Sequence, residues 1–240
     1  AFCLALCGGL SHGAIVAERP NKNAETHIFT VTTFHCKVSR MADSYHHGNL
    51  RRNLLDSAAK HAATSGPESL SLRSLAAEEG VSHAAPRHHF GSREGLITAL
   101  ATEGYALLAD SLNRARARES ENAKDAHLEV GIAYVQFATD HPGHFAVMFN
   151  PDLVLADDVE LIAAQQRAFG LLTASAGDLQ QPDQAAATLA GWALMHGLVH
   201  LTRSGALEAS HVASVLGTAS TTELARRVGR MLYSPPEGPQ

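Results

Sequence analysis

The sequence predicts an all-α protein, and three observations carry that prediction. Apolar residues recur at i, i+3 and i+4 over successive stretches, the spacing that lays one stripe along a helix. The apolar/polar alternation of half-buried strands is scarce, and aromatic residues make up only 5% of the chain. Serine, asparagine, glycine and proline stand where helices need caps and stops. With 240 residues, 45% of them hydrophobic, the chain can bury a full core shared between a small and a medium helical unit.

The first 40 residues differ in composition from the rest. All three cysteines, Cys3, Cys7 and Cys36, lie there. The opening run A-F-C-L-A-L-C-G-G-L is apolar but has no positive n-region, and Leu6 stands before Cys7 where a lipoprotein cleavage site calls for a small residue. Met41-Ala42-Asp43 then opens directly onto periodic sequence. Residues 1–40 therefore read as an upstream-translated or disordered segment, and a body without cysteine frameworks fits a cytoplasmic protein.

The first helix is predicted from Leu50, Leu54, Ala58 and Ala62, starting near Gly48-Asn49 and stopping at Gly66-Pro67. Ser71 can cap a second, short helix carrying Leu72, Leu75 and Ala76, which Gly80 ends by taking positive φ. Val81 can plug the joint, and Ser82 caps a third helix read as Ser82 to His89. Two short helices across so tight a turn make a helix-turn-helix. Pro86 is tolerated there, because its ring faces the carbonyl of Ser82, which lies at the cap and outside the helix. Phe90 and Gly91 end the run, and Ser92 caps a long helix with Leu96, Ile97, Leu100, Ala101, Leu107, Leu108 and Leu112.

The residues Y-H-H-G-N-L-R from Tyr45, S-L-R-S-L-A from Ser71, G-V-S-H-A-A-P from Gly80 and H-F-G-S-R-E-G-L from His89 resemble the N-terminal domain of TetR-type (tetracycline-repressor-like) transcriptional regulators. The likeness covers residues 45–110. Further on, H-P-G-H-F-A-V-M-F from His141 and G-W-A-L-M-H-G-L-V-H-L from Gly191 resemble the regulatory core of the branch with a Trp-His-Gly-type C-terminal domain. The resemblance implies a homodimer that represses from a double-stranded DNA operator and responds to a small-molecule effector. No cofactor, bound metal or membrane partner is expected, and no apolar run reaches the length of a membrane span. One departure stands out: where the family carries a tyrosine near the end of the recognition helix, this chain has Arg87, then His88 and His89. A guanidinium can pair with phosphate or fork onto guanine, so relatives' operator preferences do not transfer.

The candidate DNA-binding residues are Tyr45, Arg51, Ser71, Arg73, Ser82, His83, Ala84, Arg87, His88 and Arg93. Ser82, His83, Ala84, Arg87 and His88 are expected to face the bases, with Arg51, Arg73 and Arg93 positioning the phosphate backbone. Charge alone does not point to nucleic acid. The net charge is −5, and between Met41 and Leu100 the bases Arg51, Arg52, Lys60, Arg73, Arg87 and Arg93 are matched by Asp43, Asp56, Glu68, Glu78, Glu79 and Glu94. Binding has to come from a local surface.

Past Leu112, Arg114, Arg116 and Arg118 meet Glu119 and Glu121 in a solvated helix end. Leu128, Ile132, Tyr134, Val135 and Phe137 continue a helix to His141-Pro142, followed by a short apolar piece, Phe145 to Phe149, stopped at Asn150-Pro151. Leu161, Ile162, Ala168, Phe169 and Leu172 mark another helix. Residues 185–201 are apolar on nearly every face and should lie centrally, and a last helix is read from Ser210 to Tyr233. The predicted domains are a helix-turn-helix head at 41–92, a helical effector-binding and dimerisation domain at 93–233, and a disordered tail at 234–240.

Candidate effector-binding residues are Tyr134, Phe137, Phe145, Met148, Phe149, Phe169, Trp192, Met195 and His196, although an aromatic stripe at helical spacing also serves as ordinary core. His196 and His200, spaced i, i+4, keep a metal-responsive regulator open as an alternative, with His141 or His144 as further ligands. A helical protein–protein interaction module without DNA binding is the other. No glycine-rich phosphate loop, G-x-S-x-G elbow or H-E-x-x-H motif points to an enzyme.

Overall fold

The computed structural model describes residues 49–210, 214, 217 and 219–233. The expectations for residues 1–40, Tyr45 and the tail at 234–240 lie outside the described residues. Among the described residues there are helices and no strand: α1 (Leu50–Ser65), α2 (Leu72–Glu78), α3 (Ala84–Phe90), α4 (Arg93–Arg116), α5 (Ala123–Asp140), α6 (Pro142–Met148), α7 (Val159–Gly177), α8 (Gln184–Arg203) and α9 (Thr221–Tyr233).

Helices α1, α2 and α3 form the head. Leu54, Leu55, Ala58 and Ala62 on α1 are buried with Leu75 and Ala76 of α2, which gives the head its own small core. Burying each such leucine is worth roughly 1.5–3 kcal/mol, enough in sum to hold helices too short to persist alone. The α2–α3 turn is a Schellman motif built on Gly80. Val81 donates its N–H to the Ala76 carbonyl at 2.9 Å, Gly80 donates to Ala77 at 3.3 Å, and Gly80 takes φ +65°. Helix α3 begins two residues later than the sequence suggests, at Ala84. Ser82 still serves its start, its hydroxyl accepting from the Ala84 N–H at 3.3 Å and its carbonyl from Ala85 at 2.9 Å. Pro86 thus falls in the first turn, where its missing N–H leaves no helical bond unmade.

Helix α4 links head to body. Ser92 caps it, accepting from the Gly95 N–H at 3.1 Å, and its 24 residues extend about 36 Å at the usual rise. Leu96, Ile97 and Leu100 pack in the head region, whereas Tyr105, Leu108, Leu112 and Ala115 lie buried along α7 and α5. A second connection runs through α6, which packs directly on α1. Gly143 sits so close to α1 that a Cβ built on it would lie 1.9 Å from the Ala59 carbonyl oxygen. No side chain fits there.

Two expectations need correction. Helix α8 does not run through the centre of the described protomer: Leu189 is 59% and Leu201 49% exposed, and only one face, with Gly191, Met195, Leu198 and Val199, is buried. Its apolar excess belongs to an uncovered surface. The last helix starts at Thr221, well after Ser210, because Ser220 caps it by accepting from the Glu223 N–H at 3.2 Å. Residues 204–209 before it form turns.

Candidate functional site

The head presents one exposed face. Ser82, His83, Ala84, Arg87 and His88 are all exposed at the start and along the outer side of α3, and Arg73 joins them from α2. Ser71, before α2, is half-buried. Arg51 is exposed on α1 and lies over the ring of Phe90 with its guanidinium carbon 5.4 Å from the centroid, a cation–π contact that parks a cation at the end of α3. Arg93 takes a different place. It is half-buried, and its guanidinium donates to the Leu70 and Pro67 carbonyls at 2.9 Å each. Instead of reaching for phosphate as expected, it ties the start of α4 to the turn before α2.

The balanced charge of the head is unbalanced in space. Glu79 accepts from the Ser57 hydroxyl, Glu78 contacts His61 at 2.6 Å, and Asp56 pairs with Arg52, so these acids are held against α1. Arg52 also donates to Glu103 on α4 at 2.6 Å. Arg73 and Arg87 have no acidic partner among the described residues and stand on the α2–α3 face. The last turn of α3 carries Arg87, His88 and His89, whose positive charge, when present, the helix dipole favours there.

The body holds a cavity of about 430 Å³ between α4, α6, α7 and α8. Met148, Phe149, Phe169, Trp192 and His196 line it, as the sequence suggests. Tyr105, Leu161 and Gln165 complete the wall with Pro151, Val154 and Ala156 from the α6–α7 connection; the sequence did not mark these as site residues. Volume and lining fall in the range of small-molecule sites, roughly 300–1,000 Å³ and mostly apolar. Tyr134 and Met195 instead border a separate slot of about 20 Å³, room for about one water. Phe137, its ring tilted against His141 with centroids 5.2 Å apart, and Phe145 line neither space. These two are packing residues.

A relay of hydrogen bonds backs the cavity wall. The Trp192 indole N–H donates to the Tyr134 hydroxyl at 3.2 Å, and that hydroxyl lies 2.7 Å from His196 Nδ1. Burial and the neighbouring His200 lower the His196 pKa to about 4, so the ring is neutral at neutral pH. Tyr105 donates to the Met148 carbonyl at 2.6 Å, and burial pushes its pKa up to about 12. His196 and His200 do share a face, with rings 4.5 Å apart, but among the described residues no three His, Cys, Asp or Glu groups come together as metal ligands would. At the α1–α6 contact, His144 is buried with Nε2 3.6 Å from Glu103 and without a hydrogen bond, and burial lowers its pKa.

A helix-turn-helix head joined by one continuous helix to a cavity-bearing helical body defines a DNA-binding transcriptional regulator. The profile for bacterial regulatory proteins of the tetR family matches residues 54–100, and the profile for a tetracyclin repressor-like C-terminal domain matches 127–232. The chain belongs to the TetR family, whose members are regulators and not enzymes. Among solved structures it is similar to a protein of unknown function from Rhodococcus sp. RHA1, with 30% identity and a TM-score of 0.66, over 79% of this chain and 96% of that one. It shares the fold of the TetR family transcriptional regulator PfmR from Thermus thermophilus, with 22% identity, a TM-score of 0.61 and coverage of 77% and 98%. The fatty acid degradation regulator FadR from Bacillus halodurans has the same fold at 13% identity and a TM-score of 0.60, over 78% and 96%. No curated protein matches the chain. Among the described residues no helix is long and apolar enough to cross a membrane.

Proposed function

We propose that this protein is a homodimeric repressor that binds a pseudo-palindromic operator through α3 and leaves it when a small molecule fills the cavity of the body. One observation carries the reading: the elements that wall the cavity are the elements that hold the head. Tyr105 lines the cavity on the same helix whose first residue, Arg93, is tied to the carbonyls of Pro67 and Leu70. Met148 lines it at the end of α6, whose Gly143 bears on α1. A ligand that moves either helix moves the recognition face, without touching DNA. By differential affinity for two head positions, such a ligand can change operator affinity by roughly 5- to 150-fold.

The uncovered flank supports the dimer. Leu189 and Leu201 on α8, and Met231 (83% exposed) and Leu232 on α9, leave large apolar side chains in water. Exposed apolar side chains on the last two helices suit a two-fold contact in which each copy covers the other. One short recognition helix reads few bases, and paired heads about 34–36 Å apart reach successive major grooves. Selection of duplexes from a random pool, with the bound stoichiometry read by light scattering, tests this. The expected result is an inverted repeat bound by two chains. A monomer that binds a single half-site with full affinity contradicts it.

A further inference from the structure

The chemistry of the cavity wall restricts what the body can bind, granted that the cavity is the ligand site. The starting point is Tyr134, only 1% exposed at the middle of α5. An indole N–H can only donate, so the Tyr134 oxygen accepts from Trp192; among the described residues the buried hydroxyl has no acceptor but His196 Nδ1, so its own proton is directed there. A neutral imidazole that accepts at Nδ1 carries its proton on Nε2. That arrangement sets the tautomer and leaves the Nε2–H as the one donor of the His196 ring not engaged by Tyr134, on a residue that lines the cavity.

The other groups around it are uncharged. Among the described residues of the wall Tyr105 is the only other titratable one, and it stays protonated; Gln165 supplies an amide, and the rest of that described lining is apolar. Among the described residues no lysine, arginine, aspartate or glutamate lines the cavity. His200, its ring tilted against that of His196 with centroids 4.5 Å apart, disfavours a charge on it. Arg203 on the same helix lies over Phe145 at 5.8 Å and takes no part in the wall. A carboxylate placed here meets no cation among the described residues of the wall, and burying an unpaired charge is costly. It can be met only by protonating His196, and a group with a pKa of about 4 is protonated at pH 7 in only ~1 molecule in 10³.

We propose that the cavity takes an uncharged, mainly apolar molecule bearing a hydrogen-bond acceptor, such as an ester or ketone carbonyl, which receives the Nε2–H of His196. The acceptor gives orientation, and Phe149, Phe169 and Trp192 give the apolar contact. Charged acids of the same skeleton are disfavoured, because the described residues of the wall offer them no cation.

Calorimetry on the intact protein at pH 7.5 with three probes of one skeleton tests this: methyl 2-naphthoate, 2-naphthoate and 2-ethylnaphthalene. The ester should bind at least about tenfold more tightly than the carboxylate, and more tightly than the hydrocarbon. In His196→Leu the advantage of ester over hydrocarbon should shrink by about five- to tenfold while hydrocarbon binding persists, as expected for one lost hydrogen bond. A carboxylate that binds as well as the ester overturns the proposal, as does an ester advantage unchanged in H196L. The ester–acid comparison needs no variant, so it decides even if the substitution prevents folding. If none of the three probes binds, the cavity reading itself falls with the proposal; if the carboxylate wins, only the ligand chemistry falls.

Discussion

Replacing Gly143 by alanine tests the junction between head and body. The added methyl carbon would sit 1.9 Å from the Ala59 carbonyl oxygen, 2.7 Å from its carbon and 3.0 Å from its Cα. All three are backbone atoms in the interior of α1, so no rotamer change relieves the clash, and α6 must retreat from α1 by about 1 Å. Two effects oppose each other. Alanine is the better helix former by ~0.8–1 kcal/mol in a helix interior, less in the first turn where Gly143 stands. Overpacking against rigid backbone costs ~1–3 kcal/mol. The clash wins, and for a body of this size each kcal/mol lowers Tm by roughly 2–4 °C. The displaced surface joins the recognition head to the helix ending in Met148, so operator affinity and its response to ligand should change together. Differential scanning calorimetry and operator titration with and without methyl 2-naphthoate read both quantities. A G143A protein that melts at or above the wild-type temperature, with unaltered operator binding, refutes the argument that α6 carries the cavity's state to the head.

Other predictions concern single side chains and pH. Arg87→Ala should cost ~1–3 kcal/mol of operator affinity and flatten preference at one base position; equal weakening on all sequences would make Arg87 a phosphate contact instead. Arg93→Met should lower Tm by removing the two bonds to Leu70 and Pro67 while leaving the slope of log affinity against log salt unchanged; a slope smaller by about one unit would return Arg93 to the phosphate backbone. Burial depresses His127, His144 and His196 below their ordinary 6.5, so the unfolded chain takes up protons first as pH falls. Stability should be full above pH 6.5 and decline from there toward pH 4, where His196 titrates in the folded state. Asp56, held low mainly by its hydrogen bond to Arg52, acts only below that window. Thermal melts at pH 7.5 and 5.0 check this, and equal or greater stability at pH 5.0 would contradict it.

The head was legible in the sequence because its signals are local. Gly80, Ser82 and Ser92 mark turn and caps within a few residues of where the backbone uses them, and the positions expected on the outer side of α3 are exposed. What the sequence hid depends on three dimensions. Counting charges cancels Glu78 and Glu79 against arginines, but cannot say that both acids fold back onto His61 and Ser57. Arg93 finds backbone carbonyls, acceptors that every residue carries and no motif announces. Periodicity gives faces, not voids, so Phe137 and Phe145 resemble cavity residues as much as Phe149 does, and Gln165 and Tyr105 go unnoticed. Likewise the apolar length of α8 reads as a central helix, since an uncovered face and a buried one have the same composition.

The central claim is that cavity and recognition face are coupled through shared helices, and coupling is reciprocal by thermodynamic necessity. The direct measurement is a pair of titrations on one sample: operator affinity at saturating methyl 2-naphthoate, and affinity for that ester at saturating operator, followed through Trp192, the chain's only tryptophan. The account predicts that each partner weakens the other by the same factor, roughly 5- to 150-fold. An ester that occupies the cavity and leaves operator affinity unchanged contradicts it.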